Sequence, residues 1–257
     1  MKEISVIIIA KNEAENITDC IISAKLISKD IIVADSGSND GTTQYALKAG
    51  AKILTINWKG YGHARNSAAE FATNNWIIAL DADERVTPEL AASINSLLLN
   101  DDKKLYGFKR ENFFGSKKII FGEWGRDKLY RLYNKKQAGW NQALVHENIE
   151  GSELTKKIIS GSILHYTMKD KAEFYAKTIL YAQLSAAKYF DAGKKPTFLK
   201  RFISPAFSFI QNYLFRLGFL DGKEGFMIAC TNSRYNFLKY KLLKELRCKV
   251  VKQSVSM

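Results

Sequence analysis

Cysteine is nearly absent from this chain of 257 residues: Cys20, Cys230 and Cys248 are too few and too scattered for a disulfide framework or a cysteine-built zinc site. Two of the three lie in apolar stretches typical of buried thiols, so a reducing, cytoplasmic setting is expected. Long hydrophobic runs are missing too. No segment offers the roughly 18 uninterrupted apolar residues of a membrane-spanning helix. The apolar run that begins at Val6 is short, lacks a signal-peptide cleavage pattern and passes at once into charge, so it reads as a first strand. Any membrane contact is therefore expected to be peripheral. Internal repeats and low-complexity linkers are also lacking. Apolar residues, by contrast, make up 46% of the chain, enough for one large core.

Acidic residues are in deficit. Lys and Arg number 39 against 26 Asp and Glu, a net charge of +13. The segment from Lys194 to Met257 holds 13 basic and 3 acidic residues, so it carries +10 and the preceding 193 residues only +3. It also holds 11 of the 31 aromatic residues, among them Phe198, Phe202, Phe207 and Phe215. A cationic and aromatic surface suits the interface of an anionic membrane. The competing reading packs these aromatics onto the core and leaves the lysines solvated. Nucleic acid is not expected as a partner, because no nucleic-acid module is recognisable.

The first hundred residues alternate apolar runs with helical patterns. Strands are expected at 4–10, 30–36, 52–57 and 76–83, with helices at 14–27, 40–51 and 63–74 and a further one from the Thr87 cap and Pro88. Such alternation implies an α/β fold with a mostly parallel sheet covered by helices on both faces. Beyond residue 105 the pattern breaks into loops and short antiparallel strands. Helices return after Lys169, with one over 171–193.

Ligands of parallel sheets bind beyond the carboxyl ends of the strands, and the unusual residues fall there. Asn12 and Glu13 follow the first strand, Asp35 and Ser36 end the second, and "LDADE" ends the fourth with Asp81, Asp83 and Glu84. Strand alternation puts Asp81 and Asp83 on one side. Two carboxylates about 4 Å apart repel by roughly 1–4 kcal/mol at effective dielectrics of 80 to 20, so a hard cation such as Mg²⁺ or Mn²⁺ is expected between them. A lone D-x-D is also compatible with solvated strand-end acids.

Taken together, "IIIAKNE", "VADSGSNDGT", "GHARNSA" and "LDADE", in that order over residues 4–84, resemble the family 2 glycosyltransferases, which have the GT-A fold. "KRENFFGSKKIIFGEWGRDKLYRLYNKKQAGW", "LVHE", "ILHYT" and "FLDGKEGFMIA" resemble the lipopolysaccharide core enzymes of that family, including those that add glucose to a heptose acceptor. The resemblance implies a GT-A domain over 1–193, with a donor half of about 1–104 and an acceptor half of about 105–193, followed by a helical, membrane-associating extension over 194–257. It implies inverting, metal-dependent transfer from a nucleotide-diphospho-sugar, uridine nucleotides favoured, to a glycan or lipid-linked acceptor at the cytoplasmic face of the inner membrane.

It also implies roles. The Ala10 backbone, Asn12, Glu13, Asp35 and Ser36 would hold the nucleoside, Arg65 would lie near the diphosphate, and Asp81, Ala82 and Asp83 would address the donor and the divalent cation. Asp83 is the principal ligand, and His165 is a candidate further ligand. The general base is Glu147 or its rival Asp127, while Trp124, Arg131 and His146 would shape the acceptor pocket. Two other readings compete. "IIALDADE" also resembles the nucleophile strand of haloacid dehalogenase-type phosphatases, although those carry it on the opening strand. A non-catalytic protein that binds membranes or polyanions would need none of these acids.

Overall fold

The β-branched run from Ile4 to Ala10 forms strand β1, and every residue of it is buried. Its alternating side chains feed two separate cores. Ile4, Val6 and Ile8 pack on one face with Ile17 and Ile21 of helix α1 (Ile17–Ala24). Ile7 and Ile9 pack on the other with Ala64 and Ala68, whose small side chains let their helix lie close to the sheet. A strand buried on both faces has no polar side to show, which is why its sequence lacks alternation.

Strand β2 (Asp30–Asp35), helix α2 (Thr42–Lys48), strand β3 (Lys52–Thr55), helix α3 (Tyr61–Phe71) and strand β4 (Trp76–Asp81) complete the parallel part. A short strand β5 (Glu84–Val86) leads into α4 (Pro88–Ser96), where the Thr87 side chain accepts from the Leu90 N–H as an N-cap. Antiparallel strands follow: β6 (Lys104–Phe114), β7 (Lys117–Lys118), β8 (Lys128–Asn134), β9 (Ala138–Trp140), β10 (Ile149–Gly151) and β11 (Thr155–Met168). The main sheet runs β3-β2-β1-β4-β8-β6-β11-β5, with β7 on β6 and with β9 and β10 forming a separate ribbon. The sheet is parallel from β3 to β4 and antiparallel between β4 and β8.

This computed structural model describes residues 2–142, 147–168 and 171–255. The architecture is a GT-A-like, Rossmann-type fold with a helical C-terminal region. The expected short antiparallel strands are in fact long, 11 residues in β6 and 14 in β11. Most β11 positions before Ser162 are exposed, so lysines and serines replace the apolar residues that would have marked a strand.

The chain divides into two compact units, residues 1–111 with 127–166, and 112–126 with 167–257. The expected boundary near residue 193 thus falls inside the second unit. Helix α5 (Lys171–Asp191) belongs there, packed against α7 (Gly222–Val255): the Tyr189 and Tyr240 rings meet at a tilt with centroids 6.2 Å apart, and Ser185 and Tyr235 share a hydrogen bond of 2.8 Å. Helix α6 (Phe198–Ile210) contains Pro205 and passes into a π-helical turn over Gln211–Phe215. No helix of the described residues is long and apolar enough to cross a membrane.

Candidate active site

The sheet register aligns the acids. Ala10 of β1 stands opposite Asp35 of β2, and Ile9 stands opposite Asp81 of β4, so both carboxylates share one edge of the parallel sheet. β2 lies on one side of β1 and β4 on the other, which opens the crevice typical of a topological switch point.

On the β1–β2 side the two loops are laced together. Asn12, held at a φ of 55°, donates its N–H to Ser38 Oγ at 2.8 Å and accepts from the Asn39 N–H at 3.0 Å. The Glu13 N–H donates to Thr42 Oγ1, and the Ala14 N–H to Asp40. Hydrogen bonding from Thr42, against slight burial, holds the Asp40 carboxyl below its ordinary pKa. Asp35 is buried, and its oxygens accept from the Gly37 and Ser38 N–H groups and from the Ser38 hydroxyl. Ser36 donates to the Ala10 carbonyl, and Glu13 accepts from Asn16. Asp35 therefore shapes the loop that the sequence assigned to nucleoside contact.

On the β4 side the expected pairing of Asp81 with Asp83 is replaced. Strand β4 ends at Asp81, and a turn at Ala82 and Asp83 breaks the alternation that would have aligned the two acids. Asp81 Oδ1 accepts from Arg65 Nη2 at 2.6 Å, and Oδ2 from Arg131 Nη2 at 3.2 Å. Burial opposes its ionised form, but Arg131 and Arg65 outweigh it and hold the carboxyl well below the usual range. The charge that the sequence sought in a metal is supplied by two guanidiniums. Both lie over the Trp140 ring, with Arg65 Cζ 4.5 Å and Arg131 Cζ 5.2 Å from its centroid.

Arg65, only 2% exposed, also donates through Nη1 to Glu147 Oε1. Arg131, expected at the acceptor pocket, is buried behind Asp81 and donates to that carboxylate. Arg65 Nε and Arg131 Nη1 are buried donors that lack a hydrogen-bond partner among the described residues. Asp127 accepts from Arg110 Nε at 2.7 Å, and Arg110 Nη1 reaches Glu84 Oε1 at 3.5 Å. Glu84, fully buried, also accepts from the Asp81 N–H at 2.9 Å. Its pKa is raised by burial and by the Asp81 charge. Arg110 and Trp140 carry no motif of their own and are not legible as site residues from sequence.

Asp83 faces the antiparallel side. Strand β11 places His165 opposite Glu84, and His165 Nε2 lies 3.4 Å from Asp83 Oδ2. The Asp83 carbonyl accepts from the Tyr166 N–H, which fixes the turn, and Ala82 is buried beneath it. A carboxylate oxygen and an imidazole nitrogen bound to one ion at about 2.1 Å each stand about 3 Å apart in a cis arrangement, so this donor pair fits a divalent cation. Among the described residues no third His, Cys, Asp or Glu completes a cage, which leaves room for ligands from a substrate. Trp124 lies in the second unit, where its ring packs on Phe174 at 5.3 Å and on Phe114 at 6.4 Å. His146 lies outside the described residues.

A Rossmann-type sheet with buried arginines and acids at its carboxyl edge has the architecture of a GT-A-like glycosyltransferase. Residues 5–164 match the family model for Glycosyl transferase family 2, and the chain belongs to that family. It is similar to a glycosyltransferase of Rickettsia bellii, 29% identical over 95% of this chain and 87% of that one. It is equally similar, 29% over 91% of this chain and 89% of that one, to the lipopolysaccharide core biosynthesis glycosyltransferase LpsC of Rhizobium meliloti. Among solved structures, glucosyl-3-phosphoglycerate synthase from Mycobacterium tuberculosis, crystallised with Mn²⁺, UDP-glucose and phosphoglyceric acid, shares 24% identity over 42% of this chain and 43% of that one, with a TM-score of 0.34. Family membership removes the phosphatase and the non-catalytic readings.

Proposed function

We propose that this glycosyltransferase moves a sugar, with inversion, from a nucleotide-diphospho-sugar, uridine favoured, to a glycan or lipid-linked acceptor of lipopolysaccharide or related envelope polysaccharide, working peripherally at the cytoplasmic face of the inner membrane. The observation that carries this reading is the pair of buried guanidiniums at the end of β4, each with a donor left unpartnered, beside Asp83 and His165. Buried N–H donors without partners are costly unless a ligand engages them. A diphosphate supplies the oxygens they lack. Similarity to LpsC supports the choice of acceptor class.

In this reading Asp83 and His165 hold Mg²⁺ or Mn²⁺, which when bound supplies Lewis-acid stabilisation to the departing diphosphate. Arg65 and Arg131 neutralise the same developing charge from the protein side, and Asp81 keeps both guanidiniums in register. Asn12, Glu13, Ser36 and the loop shaped by Asp35 contact the nucleoside. Glu147 removes the acceptor proton. Its partner Arg65 is also held by Asp81, so the guanidinium that faces the diphosphate orients the base as well. Asp127, clamped by Arg110, is the weaker candidate.

A thermal-shift screen of nucleotide sugars with and without Mn²⁺ tests the reading. One nucleotide sugar at about 100 times its Kd stabilises the fold by about 2.7 kcal/mol, and only with metal. Asp83→Ala loses this effect and transfer while melting normally. Stabilisation by every nucleotide sugar without metal, and unchanged in Asp83→Ala, overturns the assignment.

A further inference from the structure

Helix α6 is inverted relative to an ordinary surface helix. Its inward positions carry Pro205, whose carbonyl accepts from Ser233 of α7, and Arg201, whose guanidinium lies 5.4 Å from the Phe237 ring centroid. Its outward positions carry Leu199, Ile203, Phe207 and Ile210, continued by Leu214 in the π turn, all exposed. These five recur at steps of three and four, a single apolar stripe turned to solvent.

At the start of the stripe lies a cavity of about 610 Å³, lined by Lys195, Phe198, Arg201, Phe202, Lys244 and Arg247 among others, with no acidic residue in its wall. Arg247 is anchored by donating to the Gly193 and Lys194 carbonyls, at 3.1 and 2.8 Å. The Nε of Arg201 is buried there with no hydrogen-bond partner among the described residues. The rings of Phe198 and Phe202 pack at a tilt with centroids 4.8 Å apart at the rim, and Phe198 is 72% exposed. Four cations and an orphan guanidinium donor call for a phosphate, while the neighbouring stripe calls for hydrocarbon. An acidic phospholipid carries both on one molecule.

We infer that this cavity binds the phosphate headgroup of an anionic membrane lipid while the α6 stripe lies in the bilayer interface. The helix then sits in the plane of the membrane, its apolar stripe at the acyl boundary and its cations among the headgroups. The inference rests on the membrane contact of the proposed function but not on its chemistry.

The test is co-sedimentation of the full-length protein with phosphatidylcholine vesicles, with or without phosphatidylglycerol. Wild type is expected to sediment with the anionic vesicles only. Each basic contact near an anionic surface is worth about 1 kcal/mol, or about fivefold in binding, so Lys195→Glu with Lys244→Glu is expected to weaken binding at least 25-fold. Lys223→Glu, 91% exposed and away from the cavity wall, is expected to leave vesicle binding within about twofold of wild type, well short of one such step. Phe207→Ser is expected to weaken binding without altering the preference for anionic lipid. Equal losses from Lys223→Glu and from the cavity pair, scaled per charge, overturn the headgroup site in favour of diffuse attraction. A rise in melting temperature with inorganic phosphate, in a protein that ignores vesicles, overturns the lipid. Donor and metal thermal shifts measured on the same variants separate failure here from failure of the transferase reading.

Discussion

Arg65 is the residue on which the site turns, since one guanidinium serves Asp81 and Glu147 while resting on Trp140. Breaking a buried ion pair from one side leaves an uncompensated charge, at a cost of about 3–5 kcal/mol. Arg65→Met is expected to lose stability on that scale in urea denaturation. Arg65→Lys recovers only part of it, because an ammonium cannot present a planar fork to two carboxylates. Glu84 makes the opposite case. Its folded pKa lies above the unfolded value, through burial, Asp81 repulsion and incomplete compensation from Arg131, His165 and Arg110. Between those two values the folded state binds more protons, so this carboxyl favours folding at acid pH and opposes it increasingly as pH rises through the folded pKa. Glu84→Gln keeps an acceptor for the Asp81 N–H without the charge. Melting curves between pH 4.5 and 8 are expected to show the variant gaining at neutral pH, by about 2–4 °C per kcal/mol relieved, and losing the wild-type slope. Asp81 has the reverse sign: its contribution is complete above the ordinary carboxylate range and disappears only as strong acid protonates it.

At the scale of elements, β11 positions His165, and a glycine sets its course. Gly161 has a φ of +89°, and a Cβ there would stand 2.3 Å from the Leu90 nitrogen at the first turn of α4. Gly161→Ala is expected to destabilise the fold by about 1–3 kcal/mol in denaturant titration and to weaken metal-dependent donor binding by shifting His165. The parallel elements were legible because each is announced locally: apolar strands, a Thr-Pro cap and glycine ends. The antiparallel ones were legible in kind but not in length, because half-exposed strands such as β11 carry lysine and serine on the open face. The site divides similarly. Asp35, Arg65, Asp81 and Asp83 stand out from their neighbours in sequence. Their partners do not, since Arg131 lies 50 residues from Asp81 and Glu147 lies 82 residues from Arg65. No local pattern says that two arginines, instead of a cation, balance Asp81.

For the molecule as a whole, the charge asymmetry has a measurable consequence. The segment from Lys194 onward holds +10 of the net +13, so attraction to anionic surfaces is concentrated in the second unit while the proposed donor site depends on buried pairs in the first. Raising salt from 0.1 to 1 M shortens the screening length from about 10 to about 3 Å. Vesicle sedimentation is expected to fall steeply across that range, whereas the thermal shift with nucleotide sugar and Mn²⁺ changes far less.

The lacing of residues 12–14 to residues 38–42 bears on calorimetry. Those turns are already immobilised by their own side chains, so a nucleotide bound there as proposed would freeze little additional backbone. Its association enthalpy should therefore be opposed by only a modest entropic penalty, and cutting the lace with Ser38→Ala should enlarge that penalty.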